Sequence, residues 1–360
     1  MRPWFLSLLL LSLLGLAQAL SSSGSRLLVL LDELSERDKY SQFWEDLESL
    51  SRPIHDPTAL AISTTDMLVD RGFKLTFESP KKDPALFKHG ERAYDHLLIL
   101  PLKLKGLGPA LTPNILLDFI KNEGNILLTL SADTPTPITI NSLLLELDIH
   151  LSSDRNSLIV DHFNFDTSSS SDKHDVLLVT SPVYQRKDIR NFFGGEGVIA
   201  FPRAVGQTLG NDSPLLISIL NAPSTAYSYN PKDEVESVED PFAIGSQLSL
   251  VSAMQARNSA RFTVIGSAEM LENTWFDAEV KSPDHSQPTK TANQDFAARL
   301  SSWTFKELGV LKVGRLQHYL NEGRGVSLLN DSSVGQSQFN PKIYRIKNDV
   351  VCSQSPFLPI

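Results

Sequence analysis

Short, unbroken apolar runs recur along the chain, separated by polar segments that carry glycine or proline. Arg26-Leu27-Leu28-Val29-Leu30-Leu31 ends in Asp32-Glu33, the pattern of a strand buried on both faces. Similar runs follow at 73–77, 96–100 and 125–130. Between the last two, Thr112-Pro113 opens a segment in which Ile115, Leu116, Phe119 and Ile120 fall at helical spacing, and Gly124 closes it. A cap-forming threonine, a proline in the first turn and a closing glycine predict a helix there, hence a strand–helix–strand crossover. Further helices are predicted over 40–47 and 138–147. This alternation gives an α/β fold whose amino-terminal part is a doubly wound, mostly parallel sheet with helices on both faces. Its ligand crevice would lie at the carboxyl ends of the strands, near Asp32 or Ser131.

The Ser-rich segment 167–171 marks a loop or boundary, after which the pattern resumes. Strands are predicted over 175–180, 197–201, 215–220, 248–253 and 262–265, and an amphipathic helix over 293–308. The acidic, proline-bounded segment 230–241 reads as an exposed loop. The expected organisation is therefore a domain over 20–155 followed by a second, α/β to β-rich domain over 156–350. Two stretches fit poorly. Residues 48–69 contain Pro53 and Pro57 and lack clear periodicity, and they read as an insertion such as an in-frame retained intron. The strand-like run over 342–351 breaks into an aberrant tail at 351–360.

The first residues change the expected compartment. Met1-Arg2-Pro3-Trp4 precedes an apolar run from Phe5 to Leu16 and then Ala17-Gln18-Ala19, the make-up of a secretory signal peptide over 1–19. The run is shorter than the ~20 residues that span a bilayer. Entry into that pathway normally permits disulfides, yet Cys352 is the sole cysteine, so no internal bridge can form and zinc-finger and Cys-Cys redox chemistry are excluded. A net charge of −9 without a basic run argues against nucleic acid. Two glycosylation sequons occur, at Asn330 and at Asn211, the latter weakened by Pro214.

Candidate chemistry is sparse. Asp161-His162 with Asp166 is the nearest approach to a metal or acid–base cluster, but a metal needs three or four convergent ligands, and a polar strand end explains the same residues. Gly194-Gly195-Glu196-Gly197 has the glycines of an anion nest without the lysine and hydroxyl of a phosphate loop, and a flexible turn explains it as well. No Gly-x-Ser-x-Gly elbow appears for a serine hydrolase. Trp275 and Phe276 would point to opposite faces of a strand, so they form no aromatic platform. Arg257 and Arg261 lie in a polar turn before an apolar strand. They are candidates for an interaction surface, with simple solvation as the alternative.

Several segments in order carry a resemblance. They are Arg26 to Leu34, Arg71-Gly72-Phe73-Lys74-Leu75-Thr76-Phe77, Tyr94 to Ile99, Asp118-Phe119-Ile120, Val160-Asp161-His162, Ser224 to Tyr229, Met254 to Ser267 and Trp303 to Gly314. Over about 26–47 and 71–350 the chain resembles the 48 kDa-type subunit family of the eukaryotic oligosaccharyltransferase. The resemblance implies a glutamine-amidotransferase-like amino-terminal domain, although no cysteine nucleophile stands before position 352. It also implies a non-catalytic subunit without cofactor on the lumenal side of the endoplasmic reticulum membrane. There it would scaffold transfer of the oligosaccharide from dolichyl diphosphate to the Asn of Asn-x-Ser/Thr, and help present the substrates. The implied partners are a catalytic multi-spanning subunit, a ribophorin II-type subunit and a small DAD-type subunit. The family continues into a β-rich lumenal domain and one transmembrane helix, which are expected to be missing from this chain. A secreted carbohydrate-binding module and an α/β hydrolase-like enzyme are the competing readings.

Overall fold

The computed structural model describes residues 21–48, 71–154, 156–169, 174–181, 192–210, 213–230, 241–283, 287–310, 312–313 and 350–351. The predicted signal peptide, the insertion apart from Glu48, the tail beyond Val351, and Asn211, Asn330 and Cys352 lie outside them. The chain divides into two compact units, one of them Gly309–Ser355. The described strands of that unit, Lys312–Val313 and Val350–Val351, pair antiparallel.

The other unit holds the strands β1 (Arg26–Leu30), β2 (Lys74–Glu78), β3 (Phe87–Lys88), β4 (Glu91–Arg92), β5 (His96–Ile99), β6 (Asn125–Thr129), β7 (Ile149–Leu151), β8 (Leu158–Val160), β9 (Val176–Thr180), β10 (Val198–Pro202), β11 (Gln207–Leu209), β12 (Leu216–Asn221), β13 (Tyr227–Tyr229), β14 (Ser249–Gln255), β15 (Arg261–Ile265), β16 (Glu279–Val280) and β17 (Thr289–Lys290). Its α-helices are α1 (Ser41–Glu48), α2 (Pro113–Lys121), α3 (Ile138–Glu146), α4 (Asn273–Phe276) and α5 (Asn293–Thr304).

A nine-stranded sheet runs in the order β2-β1-β5-β6-β15-β14-β11-β7, with β12 also paired to β14. The first five strands are mutually parallel and the remainder antiparallel. Counted among themselves, the parallel strands follow the order 2-1-3-4-5, one of the two common doubly wound orders, whose switch point lies between β1 and β5. Burial explains the unbroken apolar runs. Along β1, Leu27 and Val29 enter a core cluster with Phe43, Trp44 and Leu47 of α1 and Phe296, Leu300 and Trp303 of α5. Leu28 and Leu30 enter another with Leu116, Phe119 and Ile120 of α2 and Leu143 and Leu144 of α3. Each such side chain contributes roughly 1.5–3 kcal/mol of transfer free energy, so a strand covered on both faces has no room for polar alternation.

Helix α2 forms as its signals predict. Thr112 caps it by accepting from the Ile115 N–H at 3.4 Å, and Pro113 takes the first turn. The left-handed residue after the helix is Glu123, with φ of 65°, rather than Gly124. Gly124 is required for space instead, because a Cβ there would stand 2.4 Å from the Phe119 ring.

Three expectations change. The boundary expected at 155–156 is crossed by the sheet, since β15 from the later half lies parallel against β6 from the earlier half, with Phe262 opposite Ile126 and Ile265 opposite Thr129. The helix expected over 293–308 ends at Thr304 and is buried nearly all round, including Ser301, Ser302 and Thr304, because polypeptide covers it on more than one side. Trp275 and Phe276 occupy the short helix α4 rather than a strand, with Phe276 buried. Among the described residues no helix is long and apolar enough to cross a membrane.

Candidate functional site

The parallel strands deliver their carboxyl ends to one edge of the sheet, where both residues named from the sequence are found. Asp32, two residues beyond β1, is buried, and its carboxylate lies 3.7 Å from the exposed Lys81 ammonium. Ser131, two residues beyond β6, is buried and donates a short hydrogen bond to Glu269 Oε1. Glu269 follows β15, the neighbouring parallel strand, so sheet register alone brings these residues together although 138 positions separate them.

Around Glu269 the network is largely closed. Ser267 Oγ reaches Oε2 at 3.3 Å, and Arg203 Nη2 reaches Oε1 at 3.5 Å. Arg203 Nη1 lies 2.5 Å from Asp133 Oδ2. Burial pushes the Glu269 carboxyl above the ordinary range, and Ser131 and Arg203 only partly draw it back. Arg203 holds a left-handed backbone, φ of 44°, in which its N–H donates to Asp175 O and its carbonyl accepts from the Ala132 N–H. A non-glycine residue there costs on the order of 1 kcal/mol, offset by these two bonds and the ion pairs. Beside Ser131 a cavity of about 230 Å³ opens between α3 and the residues Leu151 to Asp154 and Ser157.

The arginines of the Arg257–Arg261 turn sit at the opposite edge, where the parallel strands begin, and the structure separates them. Arg257 is exposed in the β14–β15 turn. Arg261 is only 2% exposed and cannot serve an external surface. Its guanidinium donates to the carbonyls of Trp303 and Leu308, the latter at 2.6 Å, and lies 4.5 Å from the centre of the Trp303 ring. Burial lowers its pKa to about 9. The turn has a structural task as well, since Asn258 Nδ2 donates to Ile120 O and Lys121 O at 2.8 and 2.9 Å and so satisfies carbonyls at the end of α2.

The other candidates resolve as structure. Asp161 is fully buried and accepts from Phe163 N–H, Asn164 N–H and Nδ2, and Thr225 Oγ1. Asp166 accepts from the N–H groups of Ser168, Ser169 and Lys281. Burial raises its pKa, but these hydrogen bonds prevail and hold the carboxyl below the usual range. His162 turns away from both carboxylates toward His174 Nδ1 at 2.6 Å and Tyr227 Oη at 3.0 Å. Among the described residues no group of three or more His, Cys, Asp or Glu is placed to hold a metal. The Gly194–Gly197 turn is tied down by Gly195 N–H donating to Ser181 Oγ at 2.9 Å and by Arg299 bonding Gly194 O.

Two buried polar centres escaped the sequence reading. Arg71 donates to Asp46, to both oxygens of Glu307 at 2.9 to 3.2 Å, and to Ser301 Oγ at 2.9 Å, joining α1 to the chain beyond α5. His96 opens β5 with its ring enclosed by Phe73 and Phe305. Its Nδ1 faces Asn125 Nδ2 at 3.1 Å and its Nε2 faces Gly24 O at 3.0 Å, which assigns the proton to Nε2. Burial lowers its pKa to about 4. The signal available was Arg71 and His96 beside apolar strands, but their partners lie up to 236 residues away.

Most of the chain aligns with known proteins. The family model described as "OST48, N-terminal domain" matches residues 62–307. The "Dolichyl-diphosphooligosaccharide--protein glycosyltransferase 48 kDa subunit" of Danio rerio is 31% identical over 324 residues, covering 87% of this chain and 65% of the relative. The protein of that name from Arabidopsis thaliana is 30% identical over 348 residues, covering 96% of this chain and 70% of the relative. The one from Caenorhabditis elegans is 29% identical over 320 residues, covering 88% and 65%. This chain thus spans about two thirds of the length of these relatives. With the match covering most of the doubly wound unit, the chain belongs to the OST48 family.

Proposed function

We propose that this protein is a non-catalytic subunit of an oligosaccharyltransferase complex, working on the lumenal side of the endoplasmic reticulum membrane. The observation that carries the proposal is the family match over 62–307, whose relatives are named as the 48 kDa subunit of a dolichyl-diphosphooligosaccharide–protein glycosyltransferase. In this reading the complex transfers the preassembled oligosaccharide from dolichyl diphosphate to the Asn of Asn-x-Ser/Thr. The chain supplies surfaces that hold a catalytic multi-spanning subunit with ribophorin II-type and DAD-type subunits. Orienting two large substrates removes entropy from the barrier without any reacting side chain, which is a sufficient contribution for a scaffold. Arg257, exposed on a turn that Asn258 anchors to α2, is the arginine we propose for contact with a partner.

Removing the chain from cells and following a secreted reporter with several Asn-x-Ser/Thr sites tests this. Site occupancy falls and recovers on re-expression. Unchanged occupancy after complete removal contradicts the proposal.

A further inference from the structure

We propose that the edge where the parallel strands begin carries an anion site, in which the Lys306 ammonium, with Arg261 and Arg92 beside it, takes the carboxylate of an acidic segment on a partner polypeptide. The inference rests on the subunit reading above and names the partner chemistry for the edge on which Arg257 stands.

Hydrogen bonds bring the cations together. Lys306 lies just beyond α5, and its N–H donates to the Trp303 carbonyl, which also accepts from the Arg261 guanidinium. Its own carbonyl accepts from the Ser22 N–H at 3.1 Å. Phe305, the residue before it, packs on the ring of His96 at the start of β5, with ring centres 5.0 Å apart. Arg92 reaches the same strand starts, where its Nη1 donates to the Asp95 and Glu123 carbonyls at 3.4 and 3.2 Å.

The fold leaves the charge of Lys306 unmatched. The residue is only 7% exposed, yet its ammonium makes no hydrogen bond or ion pair among the described residues. Asp95 is taken by Arg26 at 2.8 and 3.0 Å, and Glu123, exposed on the rim, forms no ion pair with Lys306. Burial pushes the Lys306 pKa down, Arg261 pushes it further, and Glu123 only partly opposes them. A buried charge without a partner costs stability, so a carboxylate arriving from outside gains what the fold forgoes. Lys306 also holds a left-handed backbone, φ of 59°, a strained conformation for a side chain other than glycine and one that clusters at binding sites. The carbonyls of Trp303, Leu308, Asp95 and Glu123, already bonded to the two arginines, surround the cations with partial negative charge, which penalises a phosphate dianion more than a carboxylate. The chain as a whole carries −9, so attraction for an acidic segment has to be local.

The test is fluorescence anisotropy of a blocked hexapeptide of alternating aspartate and glutamate, carrying an uncharged dye, against the purified full chain at low salt. The asparagine–glutamine counterpart is the control, and acetate and inorganic phosphate are competitors. The acidic peptide binds with submillimolar affinity that falls as salt is added, and the control does not bind. Lys306→Met and Lys306→Gln each weaken binding by about tenfold or more, and Arg257→Ala by about threefold. Lys82→Met, an exposed lysine at the other edge, leaves binding unchanged. Without peptide, neither Lys306 variant lowers the urea midpoint, because the ammonium removed has no partner in the fold. Absence of binding overturns the proposal. So does equal binding of the control peptide, binding unaffected by both Lys306 variants, a midpoint lowered in both, or displacement by phosphate at lower concentration than by acetate. Peptide binding with an unchanged glycosylation reporter would leave this site standing and the subunit reading refuted, whereas the reverse pattern would refute the site alone.

Discussion

Replacing Arg71 by methionine keeps most of the apolar stem and removes a guanidinium that holds two buried carboxylates, Asp46 at 9% and Glu307 at 3% exposure. Breaking a buried pair by removing one partner costs about 3–5 kcal/mol, mostly the penalty of the charge left behind. A domain of this size loses roughly 2 °C of Tm per kcal/mol, so Arg71→Met should melt about 6–10 °C lower. The pH dependence identifies the cause. Burial already raises the Glu307 pKa, and Arg71 is the main influence pulling it down, so the variant raises it further. A carboxyl whose pKa is higher folded than unfolded binds more protons in the native state. Stability therefore rises as pH falls through the raised value toward the ordinary glutamate range. The deficit of Arg71→Met should shrink between pH 7 and pH 5, and combining it with Asp46→Asn and Glu307→Gln should recover at least half the loss. Urea unfolding followed by tryptophan fluorescence reads both, since Trp44 and Trp303 are buried. A loss below about 1 kcal/mol, or a deficit that stays constant over this pH range, refutes the argument.

Other outcomes follow from the same packing. Below pH 6.5 the unfolded chain protonates His96 while the folded one, at about pH 4, resists, so stability is lost as pH falls across that window, by up to about 3 kcal/mol. His96→Gln should flatten the pH profile of urea midpoints over that range. Arg261→Met strands the Trp303 and Leu308 carbonyls and should cost about 2–4 kcal/mol, whereas Arg257→Ala, on the exposed turn, should stay within about 0.5 kcal/mol in the same assay. Asn258→Ala, which frees the α2 carbonyls, should cost about 1 kcal/mol, read as a lowered unfolding midpoint.

The parallel half of the sheet was legible because both faces of its inner strands are covered. That geometry demands the unbroken apolar runs seen in β1, β5 and β6, and the crossover helix carries its own start signal at Thr112. What escaped was long-range pairing. β15 inserts beside β6 although the serine-rich stretch and a run of antiparallel strands intervene, and nothing local encodes that register. The same gap hid Arg261. Position before a strand suggests solvent, but α5 and the chain beyond it cross over the start of β15 and enclose the guanidinium. In α5 itself, serines and threonines mimic a wet face while bonding inward, Thr304 to Thr263 at 2.7 Å and Ser301 to Arg71. The carboxyl-edge site was half legible. The position of Ser131 just past an apolar strand run put it at the carboxyl edge, yet Glu269 and Arg203 join it only through sheet register and a left-handed residue.

Affinity purification of the tagged full chain from detergent-solubilised membranes, followed by identification of what comes with it, bears most directly on the central claim. Recovery of a catalytic multi-spanning glycosyltransferase subunit together with ribophorin II-type and DAD-type proteins is the expected result. A folded chain recovered from the same membranes without any of them contradicts the assignment as a subunit of that complex.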